Sequence, residues 1–320
     1  MKKLTKIILV SFTMFSTLNF FSCRDMIHDI SSISAPTVKL KSLNMISIPD
    51  ITAPDYNPNT NIDLTNLNSN GLKPYKINAY ETTYILWDEI YEWGKYNNFN
   101  FIKKAKAGDY EVSTPGKYAY LPVTSAHPAD VIVWLNALSC KNGLTPVYYT
   151  DAEFKDILRD AELISNFKEV DEFGAPLTDM NGNPIKQYDY SIKSNFFTNL
   201  SANGYRLPTK QEWRFAAQGA WRTNADKYYL YAGSNDYKEV ASLKYLRTPG
   251  QYKPNAIGTY DMTGNVAEIT LNETSYECHG CHYNMDKSTG NLQNDFRSLA
   301  HIYGNWPEIF GFRIAQTLNL

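Results

Sequence analysis

The segment Glu277-Cys-His-Gly-Cys-His-Tyr283 gathers the residue types that do chemistry: Cys278 and Cys281 three positions apart, with His279 and His282 beside them. Thiolate sulfur and imidazole nitrogen at this spacing suit a soft or borderline metal, Cu(I) or Zn(II). The run from Cys278 to His282 also matches the attachment pattern of c-type haem, for which His301 or Met285 would serve as the far iron ligand. A local disulfide, or unpaired thiols with the histidines on a wet loop, is the plainer reading, and the residues alone leave all of these open. Upstream, Asp261-Met-Thr-Gly-Asn-Val-Ala-Glu268 sets two carboxylates around a Gly-Asn turn, a spacing suited either to wrapping a calcium ion or to an Asx-type turn with two solvated acids. His127, just before Pro128, reads as a turn histidine, and Cys140 as a small buried residue rather than a nucleophile. No phosphate-binding glycine loop or serine-hydrolase elbow occurs.

Short elements must position these residues. Glu81-Thr-Thr83 opens a helix in which Tyr84, Trp87 and Tyr91 fall on one aromatic face. Pro128 suits the first turn of a second helix with Ile132, Leu135 and Leu138 along one side, ended by Asn142-Gly143. Thr209-Lys-Gln-Glu212 fits a capping box, so a third helix begins there and Gly219 is placed to stop it. Met45 to Ile48, Tyr75 to Ala79 and Pro146 to Tyr149 read as strands, and residues 151–200, with Asn181-Gly-Asn-Pro184 between two tyrosine-bearing stretches, read as an insertion without its own core.

The chain has 320 residues, 43% hydrophobic and 20% charged, enough for one large domain or two small ones. A net charge of −2 with no basic stripe excludes nucleic acid as an expected partner. Met-Lys-Lys-Leu-Thr-Lys6 followed by the apolar run Ile7 to Phe21 reads as an export signal, too short for an ordinary membrane span. Ser22-Cys23 closes it in the manner of a bacterial lipobox, making Cys23 the lipidated first residue of the mature chain; ordinary cleavage near Ser22 is the alternative. The expected organisation is a signal peptide over 1–22, a tether over 23–42 and a domain over 43–320, exported to the cell envelope and anchored to the membrane, outer membrane or periplasm-facing.

Blocks in the rest of the chain carry a family resemblance. Pro122-Val-Thr124, Trp134-Leu-Asn-Ala-Leu-Ser139, Gly143 to Tyr149, Tyr205-Arg-Leu-Pro-Thr-Lys-Gln-Glu-Trp213, Tyr231-Ala-Gly-Ser234, Pro254-Asn-Ala256, Asp261 to Val266 and Gly311-Phe-Arg313 follow one another in order. In that order they resemble the formylglycine-generating enzyme, or sulfatase-modifying factor, domain. The resemblance implies an α+β, C-type lectin-like fold with little regular secondary structure. It also implies a structural calcium ion held by Asp261 and Glu268 through side chains and by Gly264 and Val266 through carbonyls. The oxidases of the family hold Cu(I) between two cysteines just after an Arg-Gly-Gly-Ser segment. Here Gly280 falls on the second glycine and Cys281 on the serine, so residues such as Asn284 and Lys287 stand where the copper cysteines would be. Val240 to Arg247, where the family carries another calcium site, does not match its pattern.

These readings lead to a non-oxidase binding or structural module of the cell envelope, with a peptide, glycan or envelope protein as partner. The alternative is a copper-dependent oxidoreductase that converts a substrate thiol to formylglycine through Cys278 and Cys281 as a displaced catalytic pair. A third class is an electron-transfer protein with covalent haem.

Overall fold

Tyr84, Trp87 and Ile90 recur at helical spacing, and in the computed structural model they form the buried face of helix α1 (Tyr84–Tyr96). The structure describes residues 42–48, 72–108, 118–171, 173, 175–221, 229–272, 275–283 and 309–318. The chain divides into Met1–Ala35 and Pro36–Leu320, and every described residue lies in the second unit. The expected signal peptide, Cys23, the tether apart from Ser42, and Asn284, Met285, Lys287 and His301 lie outside the described residues.

Helix α2 (Pro128–Lys141) starts with Pro128 in its first turn, where a missing amide donor costs nothing, and His127 is its N-cap, accepting from the Ala129 amide at 3.2 Å. The expected turn histidine is thus a cap. Trp134 of α2 stacks on Trp87 of α1 at 5.4 Å between centroids, and Phe312 meets both rings edge-on. Offset and edge-to-face packing of large aromatics is the main core device. Inside α2, Asn136 uses its whole amide: it donates to the carbonyls of Tyr148 and Leu158 and accepts from the amides of Val147 and Tyr148. A polar residue at 0% exposure is tolerated because every one of these bonds is made.

The strands are short. Strands β1 (Met45–Ile48), β2 (Tyr75–Asn78), β11 (Ala315–Thr317) and β7 (Tyr205–Arg206) lie side by side in that order, all antiparallel. Strand β8 (Ala267–Asn272) is central in a second sheet, parallel to β10 (Phe310–Phe312) and antiparallel to β9 (Ser275–His279). Strand β3 (Tyr148–Tyr149) pairs with β6 (Phe197–Thr198), closing the base of the 151–196 excursion. Inside that excursion β4 (Ser165–Lys168) pairs with β5 (Gln187–Ile192), while Leu158, Ala161, Ile164 and Phe196 are buried in the main core.

Helix α3 (Lys210–Ala217) carries the capping box in full: Thr209 Oγ1 accepts from the Glu212 amide, and Glu212 Oε2 accepts from the Thr209 amide at 2.8 Å. The same carboxylate takes both arms of Arg206 at 2.7 Å, tying β7 to α3. A last short helix, α4 (Tyr237–Val240), is capped by Asp236. Among the described residues no helix is long and apolar enough to cross a membrane.

Candidate functional site

The two chemistry-bearing segments of the sequence meet in space. Strand β8 carries Glu268, strand β9 carries His279, and the two are cross-strand partners; the Gly264 amide donates to the Gly280 carbonyl at 2.5 Å, and the Tyr283 amide to that of Asn265 at 2.8 Å. Gly264 sits at φ +82°, and a Cβ there would lie 2.5 Å from the Ser242 carbonyl oxygen, so the turn admits no other residue without moving its neighbour.

At the centre is Arg313, fully buried just after β10. Its Nε and one terminal nitrogen donate to the two oxygens of Glu268 at 2.8 and 2.6 Å. Its remaining donors reach the carbonyls of Asn78, Ala79 and Tyr260 at 2.8 to 3.0 Å. All five guanidinium hydrogens are therefore used, which is what allows a fully desolvated cation. Trp213 of α3 donates to Glu268 as well, at 2.6 Å.

Two further acids stand close by. Glu81, read from the sequence only as part of a helix start, accepts from the Val266 amide at 3.0 Å and from the Asn265 side chain at 2.6 Å. Burial, and then the charges of Asp261 and Glu268, push it well above the usual carboxylate range. Asp261 accepts from the Gly250 amide at 2.6 Å, and burial raises it to about 6 against the pull of that hydrogen bond and of Arg313.

This arrangement bears on calcium. A hard cation takes about six to eight oxygens, yet both oxygens of Glu268 already serve Arg313 and Trp213. Asp261 is turned to Gly250. Among the described residues no three His, Cys, Asp or Glu side chains converge as metal ligands. As the side chains stand, the carboxylates of Asp261 and Glu268 are turned to the Gly250 amide and to Arg313 and Trp213 rather than converging with the Gly264 and Val266 carbonyls on one cation.

The set of Cys278, His279, Cys281 and His282 does not converge either. The reason is the pleat, which sends neighbouring side chains to opposite faces. Cys278 points with Ile269 into the main apolar core at 0% exposure, and burial raises its thiol well above the usual range. His279 points the other way and stacks on Trp213 at 5.3 Å. Cys281, at φ +63°, packs in a separate cluster with Tyr231, Val240, Ala241 and Leu243. Cys278 lies in the main core and Cys281 in a separate cluster, so the two do not form the local bridge. A c-type haem needs both cysteines on one accessible surface, and Cys278 is not on any. Cys140 is half-buried at the end of α2, and burial raises its thiol too.

His279 has neither ring nitrogen hydrogen-bonded; its Nε2 lies 3.4 Å from Glu277. Burial, then Arg214 and Lys210, lower it to about 3, so it is neutral there; burial alone takes His282 to about 4.

Comparison with known proteins agrees with this architecture. The sequence pattern of the sulfatase-modifying factor enzyme 1-like domain matches residues 52–317. A protein of Paenibacillus barcinonensis named chaperone protein LppX is 31% identical over 169 residues, 46% of this chain and 50% of the relative, so the match spans half the relative's length. The crystal structure of CarF superposes with a TM-score of 0.62 at 22% identity, covering 87% of this chain and 99% of the other. Treponema denticola variable protein 1 gives 0.52 at 19% identity, covering 86% and 95%. At these identities the two structures share the fold alone. With a loop-rich α+β scaffold closed around Gly311-Phe-Arg313 and a family match from residue 52 to residue 317, the chain belongs to the sulfatase-modifying factor enzyme 1-like, or formylglycine-generating, family.

Proposed function

We propose that this chain is a non-oxidase member of its family: an exported, lipid-anchored module of the cell envelope that binds a partner and does not convert a thiol to formylglycine. The observation that carries the reading is the burial of both candidate sulfurs, Cys278 in the main core and Cys281 in a second cluster. Copper held by two thiolates requires deprotonated sulfurs that face one another and admit a substrate thiol. A thiol raised as Cys278 is raised by burial stays protonated at neutral pH. The Paenibacillus relative is named a chaperone, a name that fits a binding module.

The test is turnover. The purified mature chain, supplied with Cu(I) and oxygen, is incubated with a cysteine peptide, and the peptide mass is followed; no aldehyde is expected, and formylglycine formed by this chain overturns the proposal. Anchoring is tested separately by fractionating cells that express the full chain. It partitions with membranes, and Cys23→Ala releases it; a variant that stays membrane-bound removes the lipid anchor from the account.

A further inference from the structure

A cavity of about 270 Å³ opens beside α4, lined by Tyr237, Tyr245, Tyr252, Lys238, Lys244 and Arg247, with Ala241 and Leu243 as its floor. The volume lies just under the ~300 Å³ at which ligand pockets usually begin, which fits one ring and little more. Lys238, Lys244 and Arg247 form no ion pair among the described residues, and the lining contains no carboxylate. Glu239, the acid on the same helical turn, is taken by Lys253 at 3.0 Å and by the Ser234 hydroxyl at 3.0 Å. Asp236 is spent as the cap. Three cations without an ion pair among the described residues therefore line one mouth.

The wall is held before any ligand arrives. Ser242 Oγ donates to the Tyr245 carbonyl at 2.6 Å, the Arg247 amide donates to Asn265 Oδ1 at 2.9 Å, and the Asn265 side chain donates back to the Arg247 carbonyl at 3.1 Å. Asn265 also donates to the buried Glu81, so the loop is clamped to the rigid centre of the molecule and its exposed side chains are left for binding. The Lys244 ammonium and the Arg247 guanidinium lie over the Tyr245 ring, 5.2 and 5.8 Å from its centre, so one aromatic face gathers both cations.

We propose that this cavity binds a carboxylated sugar ring, a uronic acid residue of an acidic glycan. The carboxylate meets Lys244 and Arg247 through charge-assisted hydrogen bonds, while C–H faces of the ring cover Tyr237, Tyr252 and the Ala241–Leu243 floor. A bare phosphate leaves that floor wet, and the slim side chain of an acidic peptide leaves the cavity underfilled. The inference names a ligand for the binding module proposed above and rests on that reading; the turnover assay judges the module, and the titration below judges the site.

The mature chain is titrated calorimetrically with a glucuronate oligosaccharide, its neutral glucose counterpart and inorganic phosphate, at low and high salt. Saturable binding of the uronate is expected, weakening with salt, at least about tenfold tighter than either comparison ligand. Lys244→Ala with Arg247→Ala costs a further tenfold or so, Tyr245→Ala costs less, and Lys95→Ala on α1, away from the cavity, changes nothing. No saturable uronate binding, equal affinity for neutral sugar or phosphate, or full binding by the Lys244/Arg247 double variant overturns the site.

Discussion

Arg313 joins β10, the β2 end, the Tyr260 loop and β8 through one planar group. Removing one partner of a buried pair leaves the other charge unpaired, so Arg313→Met is expected to cost about 3–5 kcal/mol in chemical denaturation. Arg313→Lys restores little, since an ammonium cannot fork to both oxygens of Glu268. The titratable residues make a second expectation with opposing signs. Asp261, and Asp130 of α2, whose carboxylate accepts from the Ile102 and Lys103 amides, are raised by burial to about 6 and about 7, so their contribution is full below the ordinary 3.8 and is lost as pH rises through those values. His279 and His282 are lowered, so theirs is full above the ordinary 6.5 and is lost as pH falls toward about 3 and about 4. Between about pH 4 and pH 7 the two pairs oppose one another and nearly cancel, so the thermal midpoint should stay close to level there. Asp130→Asn removes one of the falling contributions, so the variant's midpoint should rise from about pH 4.5 to pH 7, and a variant that stays level over that range contradicts the assignment.

At the scale of elements, sequence and structure agree where local chemistry decides. The Thr209 capping box, the Pro128 start and the aromatic face of α1 are all local devices, and all are present. Thr209→Ala should cost about 0.5–2 kcal/mol, and Glu212→Ala more, because Arg206 then loses its partner as well. The hairpin of β8 and β9 was harder to read. The run Cys-His-Gly-Cys-His looks like a ligand set by spacing, but Glu268 and Thr270 alternate with Ile269 and Leu271, and Glu277 and His279 with Tyr276 and Cys278. That period of two was the available signal, and it predicts that Cys278 and His279 face apart. Glu81 and Arg313 gave no such signal, since their partners lie 185 and 45 residues away and only the tertiary fold brings them together.

For the whole molecule, the family's scaffold was legible from eight ordered blocks, while its chemistry was not, because chemistry here depends on which way a few side chains point. We propose that the Arg313 guanidinium, rather than a divalent ion, pins the Asp261 turn. Prolonged treatment with a calcium chelator should leave the thermal midpoint unchanged, and stoichiometric calcium whose removal lowers it would show that the Arg313 cluster is not the pin. The most direct test of the non-oxidase reading is native alkylation of the purified mature chain, read by peptide mass with and without Cu(I). Cys278 should remain unmodified until denaturant is added, and copper should change nothing. Rapid native labelling of both Cys278 and Cys281, with both protected by one equivalent of Cu(I), would contradict the account.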